Sequence, residues 1–319
     1  MTFKKQIRLA GSFLTLAIFM TFTLSGCGES SDENNYSIVH SYSGYKGASY
    51  EKIISELRQL QVENPDMVEV VTYGKTLGSR ELVLVRISGS KRGAGLERPA
   101  VLMTQAIHGN EYQKLADPVP YEFVRNMGRH ENFAKFLSAG GILYVVPVTN
   151  PDGYENGRRG NASGYDLNRD WPLRRAGKEG FSQPETSGLG KYIAEDLRSS
   201  HGSLKFSLDY HCCSMESGSG YILHPWGTSD TLGDGTIPEG DRTRFEDMGG
   251  YFKSVFQGYK YGTPNELVRY KANGSIMDYL YENYGTLAFS FEGVYSYEDK
   301  NFLKHAEFWD GIFQKVLSD

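Results

Sequence analysis

Two almost uninterrupted apolar segments constrain the fold more than any other feature of the sequence. Residues 99–107 (PAVLMTQAI) and 142–148 (ILYVVPV) contain no charged side chain and few polar ones. Segments of this length and composition are typical of strands that are buried on both faces of a sheet. The sequence therefore predicts a central sheet whose inner strands are covered on both sides.

Helical and extended patterns alternate on either side of these strands. Apolar residues at 53, 54, 57 and 60 predict a first helix, and 68–73 with 82–87 predict a β-hairpin. No linker rich in Pro, Gly or Ser follows, so we predict one α/β domain over 46–319, with a mixed, mostly buried central sheet flanked by helices. Further helices are expected near 116–128, 185–199, 242–257, 275–283 and 299–317, further strands at 204–211, 221–224 and 287–292, and a long loop over 149–182.

The N-terminal residues have the layout of a secretory signal. Three basic residues precede an apolar run at 9–24, and Leu24-Ser-Gly-Cys27 follows. This run is short for a membrane-spanning helix. The last four residues resemble a bacterial lipobox, so we predict a signal peptide (1–26), a polar tether (27–45) and an exported lipoprotein of the cell envelope, anchored in the membrane through lipid on Cys27. The alternative is an ordinary cleaved signal with an incidental cysteine.

Charge and cysteine content exclude several classes of protein. The net charge is −5, and the leader contributes basic residues without acids, so the remainder is more acidic still. An acidic exported chain without a basic patch predicts no nucleic-acid partner, and we expect a monomer. The three cysteines provide no disulfide framework. For the adjacent Cys212 and Cys213 we expect free thiols rather than a strained vicinal disulfide.

Three predicted strands end in residues that can bind a metal or move a proton. His108 and Glu111 follow the first buried strand, His211 ends the strand at 204–211, and Glu292 ends the strand at 287–292. Ligands of open α/β sheets bind beyond such strand ends. Two imidazoles and one carboxylate would hold zinc, and Glu292 would serve as general base. Each of these residues by itself is more often a packing or salt-bridging group, and only the four together indicate a metal site.

The loop after the second apolar strand carries the motifs that decide between these interpretations. It contains Asn150-Pro-Asp-Gly, then Arg158-Arg159, then Asp166-Leu-Asn168-Arg169. With His-x-x-Glu before them, and the later histidine, tyrosine and Phe-x-Phe-Glu after them, the chain resembles the zinc metallocarboxypeptidases (the carboxypeptidase A/B-like family) from about 50 to 315. Six pieces in the family's order are a specific signal.

The resemblance implies a single zinc ion and a role for each matching residue. His108, Glu111 and His211 match the zinc ligands, and Glu292 matches the glutamate that deprotonates the zinc-bound water and passes the proton to the leaving amine. Arg159, with Arg158 as the alternative, matches the arginine that polarises the scissile carbonyl. Four more positions match: Asn168 and Arg169 as the pair that grips the substrate's terminal carboxylate, Tyr270 as the tyrosine that closes over it, and Asp166 as the carboxylate that orients the first zinc histidine.

The sequence departs from the family pattern near the substrate-binding residues. Asp170 stands where the family more often has Asn, which adds a negative charge beside the carboxylate-binding pair. Ile276 or Met277 occupies the specificity position, and neither is the acid that would select a basic side chain.

These residues predict a zinc metallocarboxypeptidase that hydrolyses a C-terminal peptide bond, with a peptide or a peptidoglycan-derived peptide as substrate. A zinc deacylase of N-acyl amino acids is one alternative. A non-catalytic binding lipoprotein on the same fold is the other.

Overall fold

The computed structural model of the protein describes residues 48–89, 96–212, 220–226, 237–268, 272–293 and 302–318. All of them belong to one compact unit, Tyr36–Asp319, and the other unit, Met1–Asn35, lies outside the described residues. The signal peptide, the whole of the tether and Cys27 lie outside the described residues and therefore remain predictions. Within the described ranges, no helix has both the length and the apolar character needed to cross a bilayer.

A mixed sheet forms the centre of the described unit. Its strands are β1 (Val68–Lys75), β2 (Glu81–Ser88), β3 (Arg98–Gln105), β4 (Ile142–Val146), β5 (Gly202–Cys212), β6 (Tyr221–Leu223), β7 (Lys260–Gly262) and β8 (Leu287–Gly293). They are ordered β1-β2-β4-β3-β5-β8-β6-β7, and the four inner strands β4, β3, β5 and β8 run parallel. The pairings β1–β2, β2–β4 and β8–β6 are antiparallel.

Helices flank this sheet, as the alternating sequence patterns predict. They are α1 (Tyr50–Glu63), α2 (Val119–Arg125), α3 (Glu131–Ser138), α4 (Pro151–Asn156), α5 (Pro184–Ser200), α6 (Glu239–Val255), α7 (Pro264–Val268), α8 (Ile276–Tyr284) and α9 (Phe302–Ser318). Within the described residues, α1, α5, α8 and α9 each contact sheet strands, whereas α3 packs mainly on α9.

The predicted α/β class and mixed sheet are confirmed, while several element boundaries are not. The helix expected near 116–128 begins only at Val119 and is followed by a 3-10 turn and by α3, which was not predicted. The loop expected over 149–182 contains the short helix α4. The three-residue strand β7 and the five-residue helix α7 were also missed, because such short elements show no periodicity of their own.

The order of the parallel strands places the predicted site residues together. β5 lies between β3 and β8, so the carboxyl ends of the three strands share one edge of the sheet. In the β5–β8 register, His211 is paired with Glu292. Below this edge, Phe206 of β5 packs against Phe289 of β8 and Trp309 of α9, with ring centroids 5.6 and 5.5 Å apart. The site therefore stands on a rigid aromatic core.

Candidate metal centre and active site

His108 and Glu111 lie in a tight loop that begins where β3 ends. Ala106 adopts a left-handed conformation (φ 53°), which turns the chain out of the sheet. Gly109 then passes so close to the start of α4 that a Cβ atom would lie 2.1 Å from the carbonyl carbon of Gly153. Only glycine allows this approach, so Gly109 determines how closely the ligand loop packs on α4.

Asn150, the first residue of the Asn-Pro-Asp-Gly motif, holds the loops of the site together. Its side chain caps α4 by accepting a hydrogen bond from the Gly153 amide (2.8 Å). The same side chain donates to the carbonyls of Ile107 (3.3 Å) and Arg159 (3.2 Å). The motif therefore has a structural role: it connects the loop that carries the ligands to the loop that carries the arginine.

Three donor groups converge at the edge of the sheet. The Nδ1 atoms of His108 and His211 lie 2.8 and 3.1 Å from the same Glu111 oxygen, Oε2. The ligand atoms of these residues all lie within 4.8 Å of one another. All three side chains are at least nine-tenths buried. Two imidazole nitrogens and one carboxylate oxygen form a donor set that suits zinc and leaves a position open.

Each of the two imidazoles also has a carboxylate behind it. His108 Nε2 lies 2.9 Å from Asp166 Oδ1, and His211 Nε2 lies 2.6 Å from Asp209 Oδ2. Metal-binding histidines are typically held in this way, with the nitrogen remote from the metal engaged by a carboxylate. The residues present therefore fit a zinc ion, and Asp166 is where the sequence prediction placed it.

Arg159 lies against the ligand cluster. Its Nη1 donates to Glu111 Oε1 (2.8 Å), while Nε and Nη2 donate to Asp166 Oδ2 (3.2 and 3.0 Å). The Arg159 side chain remains nearly half exposed. Arg158, the alternative from sequence, is exposed and has no hydrogen bond or ion pair of its side chain to another described residue. Of the two arginines, Arg159 is therefore the one that contacts the ligand cluster.

Glu292 lies beside the cluster without belonging to it. Its Oε1 is 4.0 Å from His211 Nδ1, and its side chain is 22% exposed, more than either histidine. Glu292 is therefore close enough to act on a group held at the metal position, while its side chain remains partly exposed.

The charges of the site favour a cation at its centre. The two histidines lower the pKa of Glu111 to about 2, although burial alone would raise it. Burial lowers the pKa of His211, yet Asp209 and Glu292 raise it well above its usual value. The pocket therefore binds positive charge strongly, either as protons on imidazoles or as a metal ion.

Asn168 and Arg169 occupy a 3-10 turn next to the zinc ligands. The turn is capped by Asp166, which accepts a hydrogen bond from the Asn168 amide (2.9 Å). The Asn168 side chain lies 3.4 Å from His211 Nε2 and accepts from the Ile276 amide (3.2 Å). The structure thus brings Asn168 to the ligand cluster. Arg169 follows it in the turn, and its Nη1 donates to the Asn168 carbonyl (2.6 Å), while Tyr270 lies outside the described residues.

Asp170 is used by α5 rather than by the substrate-binding residues. Its carboxylate accepts hydrogen bonds from the Ser182 amide and hydroxyl, the Gln183 amide and the Thr186 hydroxyl. These donors stabilise the charge at the N-terminus of the helix. Ile276 and Met277, the residues at the predicted specificity position, begin α8 and are 1% and 2% exposed. Neither of them is an acid.

The expectation of a free thiol at Cys212 is wrong, because Cys212 is disulfide-bonded in the structure. The protein contains two other cysteines, Cys27 and Cys213, and both lie outside the described residues.

Sequence reasoning also missed the role of Asp209. The alternation of β5 places Asp209 two residues before His211 on the same face, and this spacing was visible in the sequence. The Asp209 carboxylate accepts a hydrogen bond from the Thr104 hydroxyl (2.6 Å). Because Thr104 belongs to β3, this contact depends on the β3–β5 register.

Comparison with known proteins agrees with this site. A family model described as zinc carboxypeptidase matches residues 53–308. Mouse carboxypeptidase A4 is 24% identical over 294 residues, which cover 83% of this chain and 64% of that protein. Zinc carboxypeptidase A 1 of Drosophila melanogaster is 28% identical over 208 residues, which cover 56% of this chain and 45% of that protein. The chain thus spans less than two thirds of the length of these relatives.

Solved structures show the same fold at low sequence identity. Bovine thrombin-activatable fibrinolysis inhibitor superposes with a TM-score of 0.66 at 18% identity and covers 87% of this chain and 99% of its own. A metallo-carboxypeptidase from Burkholderia cenocepacia superposes with a TM-score of 0.65 at 16% identity, and the match covers 86% of this chain and 71% of that chain. With the matched family model and the three-ligand cluster, these likenesses lead to one conclusion: the chain belongs to the zinc carboxypeptidase family.

Proposed function

We propose that the protein is a zinc-dependent metallocarboxypeptidase that removes a residue from the free carboxyl end of a peptide, with Glu292 as general base. The observation that carries this proposal is the position of Asn168 and Arg169. The Asn168 side chain lies 3.4 Å from His211 Nε2, and Arg169 is the next residue of the same turn. A substrate carboxylate held by this pair would place the adjacent peptide bond at the metal position.

The substrate's terminal carboxylate is bound by the Arg169 guanidinium and the Asn168 amide. A guanidinium binds a carboxylate through two parallel hydrogen bonds, which fixes the orientation as well as the position of the peptide. Neither Ile276 nor Met277 carries a charge, so we expect an uncharged side chain at the substrate's last residue.

Chemistry at the scissile bond divides between Arg159, Glu292 and the metal site. A zinc ion held by the three ligands would act as a Lewis acid, polarising the carbonyl and lowering the pKa of the attacking water. Arg159 supplies positive charge where the carbonyl oxygen becomes an oxyanion. Glu292 accepts a proton from the water as the water oxygen attacks the carbonyl carbon. It then donates that proton to the amine nitrogen as the C–N bond breaks.

A substrate screen with mass-spectrometric detection tests this function. Zinc-loaded protein is incubated with peptides that carry a free C-terminal carboxylate, the same peptides as C-terminal amides, muropeptides and N-acyl amino acids. We expect loss of one C-terminal residue from free acids and none from amides, since an amide removes the charge that Arg169 binds. Cleavage of muropeptides would assign the substrate to the cell wall.

The same screen separates the alternatives. Cleavage of N-acyl amino acids without cleavage of peptides would replace the peptidase with a deacylase. No turnover of any substrate by a protein that contains zinc would favour a binding protein instead.

We also propose that the protein is an exported lipoprotein of the bacterial cell envelope, anchored through Cys27. The supporting observation is the Leu24-Ser-Gly-Cys27 sequence after an apolar leader. Radiolabelled palmitate should be incorporated into the wild-type protein and not into Cys27→Ser. Equal labelling of the two would rule out this anchor.

A further inference from the structure

Asp209 is a buried carboxylate whose two oxygens have different partners. Its side chain is 2% exposed. Oδ2 lies 2.6 Å from His211 Nε2, and Oδ1 accepts a hydrogen bond from the Thr104 hydroxyl, also at 2.6 Å. In the described part of the chain, these are its side-chain partners. Burying an ionised carboxylate is costly unless it is paired, so the position of Asp209 is explained by these two contacts.

The orientation of the His211 ring gives the contact a chemical meaning. Nδ1 faces Glu111 Oε2, the oxygen that also faces His108, so Nδ1 is the nitrogen turned toward the metal position. A neutral imidazole that binds a cation through one nitrogen carries its proton on the other. That proton on Nε2 points at Asp209, which therefore stabilises the tautomer in which Nδ1 is free to bind.

Thr104 determines how the Asp209 carboxylate is turned. The two residues are paired in the β3–β5 register, and Thr104 is 1% exposed. Its hydroxyl engages Oδ1 and so leaves Oδ2 for the imidazole. Because three neighbouring strands end at this edge, the relay from Thr104 through Asp209 to His211 is held by the rigid part of the sheet rather than by a loop.

We infer that Asp209 is a positioning residue for the zinc ligand His211, and that Thr104 orients Asp209 for this role. Asp209 would fix the ring tautomer and increase the basicity of Nδ1, and so raise the affinity of the site for zinc. Asp166 has the corresponding position behind His108. The inference rests on the zinc centre of the proposed function and not on the identity of its substrate.

Zinc affinity of the Asp209→Asn variant tests the inference directly. The purified protein is titrated with zinc in competition with a chromophoric chelator, after circular dichroism has shown that it is folded. We expect affinity about 10-fold to 100-fold weaker than wild type, because the isosteric amide removes the charge and can also stabilise the wrong tautomer. The visible absorption spectrum of the Co²⁺-loaded variant should shift as well, since His211 would bind differently.

Two matched variants show whether the effect belongs to this relay. Ser207→Ala changes another buried residue of β5, two positions before Asp209, and should leave zinc affinity at the wild-type value. Thr104→Val should weaken zinc binding several-fold by releasing the Asp209 carboxylate, and Thr104→Ser should restore it by returning the hydroxyl. The Thr104 pair also tests the relay if Asp209→Asn does not fold.

Two results would overturn the inference. One is zinc affinity within twofold of wild type in folded Asp209→Asn and Thr104→Val. The other is unchanged zinc affinity with an altered preference for the substrate's C-terminal side chain, which would assign Asp209 to the substrate pocket. Weaker zinc binding in a protein that cleaves no peptide would contradict the proposed function and still support the relay.

Discussion

Asp166 illustrates how single residues of this site combine several tasks. Its carboxylate orients His108, pairs with Arg159 and caps the turn that carries Asn168. His108, Arg159 and Asn168, to which we assign three different tasks in the proposed reaction, therefore share one anchor. Asp209, by contrast, contacts His211 and Thr104 and makes no hydrogen bond to Arg159 or Asn168 in the described residues, so its replacement should act mainly on metal affinity.

Glu292→Gln should reduce kcat by about 10²-fold to 10⁴-fold, since glutamine cannot accept the proton of the attacking water. Zinc content should stay at the wild-type level, because the three ligands are untouched. Both are measured on the same preparation, by peptide hydrolysis and by metal analysis. Glu56→Gln, an exposed change on α1, is the control and should leave both values unchanged. Wild-type activity in Glu292→Gln would remove Glu292 from its assigned role.

Arg169→Lys should raise KM for free-acid peptides by about 10-fold or more, because an ammonium cannot make the two parallel hydrogen bonds of a guanidinium. The measurement is a set of steady-state rates on one peptide at varied concentration. The exposed Arg129→Lys serves as control. An unchanged KM in Arg169→Lys would show that the substrate's carboxylate is bound elsewhere.

At the scale of elements, the site depends on how β3, α4 and the loop before the 3-10 turn meet. The Asn-Pro-Asp-Gly motif was recognised from sequence as a family feature, but its physical role became visible only through the hydrogen bonds of Asn150. The strands that end in ligands were predicted well because their buried patterns are long. The short elements β7 and α7 were not, because local patterns of three to five residues cannot be distinguished from loops.

Gly109→Ala should damage the site through backbone contact alone. The added methyl would lie 2.1 Å from the Gly153 carbonyl carbon and 2.2 Å from the Tyr154 nitrogen, so the ligand loop or α4 must move. We expect about 1–3 kcal/mol lower stability, and about 10²-fold lower activity if His108 shifts by about 1 Å.

Urea unfolding and peptide hydrolysis measure the two effects of Gly109→Ala. Gly128→Ala is the control, since a methyl there meets nothing within 4 Å. Unchanged stability and activity in Gly109→Ala would show that the loop and α4 are not held in this close contact.

At the scale of the whole molecule, Asp117 makes stability depend on pH. It is buried, accepts hydrogen bonds from Tyr112 and Gln105, and lies near Lys114. Burial raises its pKa to about 6, against the lowering effects of these neighbours. The folded state thus binds the proton more tightly than the unfolded state. The contribution of Asp117 to the free energy of unfolding is therefore full below about pH 4 and is lost as the pH rises through about 6.

Asp117→Asn should therefore change the pH dependence of unfolding. Relative to wild type, the variant should gain about 2–3 kcal/mol in free energy of unfolding between pH 4 and pH 7.5, because the amide does not ionise. Urea unfolding at a series of pH values measures this difference. Asp66→Asn, at an exposed position, should parallel wild type across the range. Parallel curves for Asp117→Asn would refute the assignment.

The sequence by itself determined the fold class and the three residues of the candidate metal centre, and it predicted the groups that bind substrate. The fold class follows from long buried strands, and the metal centre follows from motifs within single segments, such as the three-residue step from His108 to Glu111, that occur in the order of the family. Only the tertiary structure decided that Thr104 donates a hydrogen bond to Asp209, that Asn150 joins two loops and that Asp170 is used by α5. Such contacts join distant segments, so they depend on strand register and packing, which local patterns do not encode.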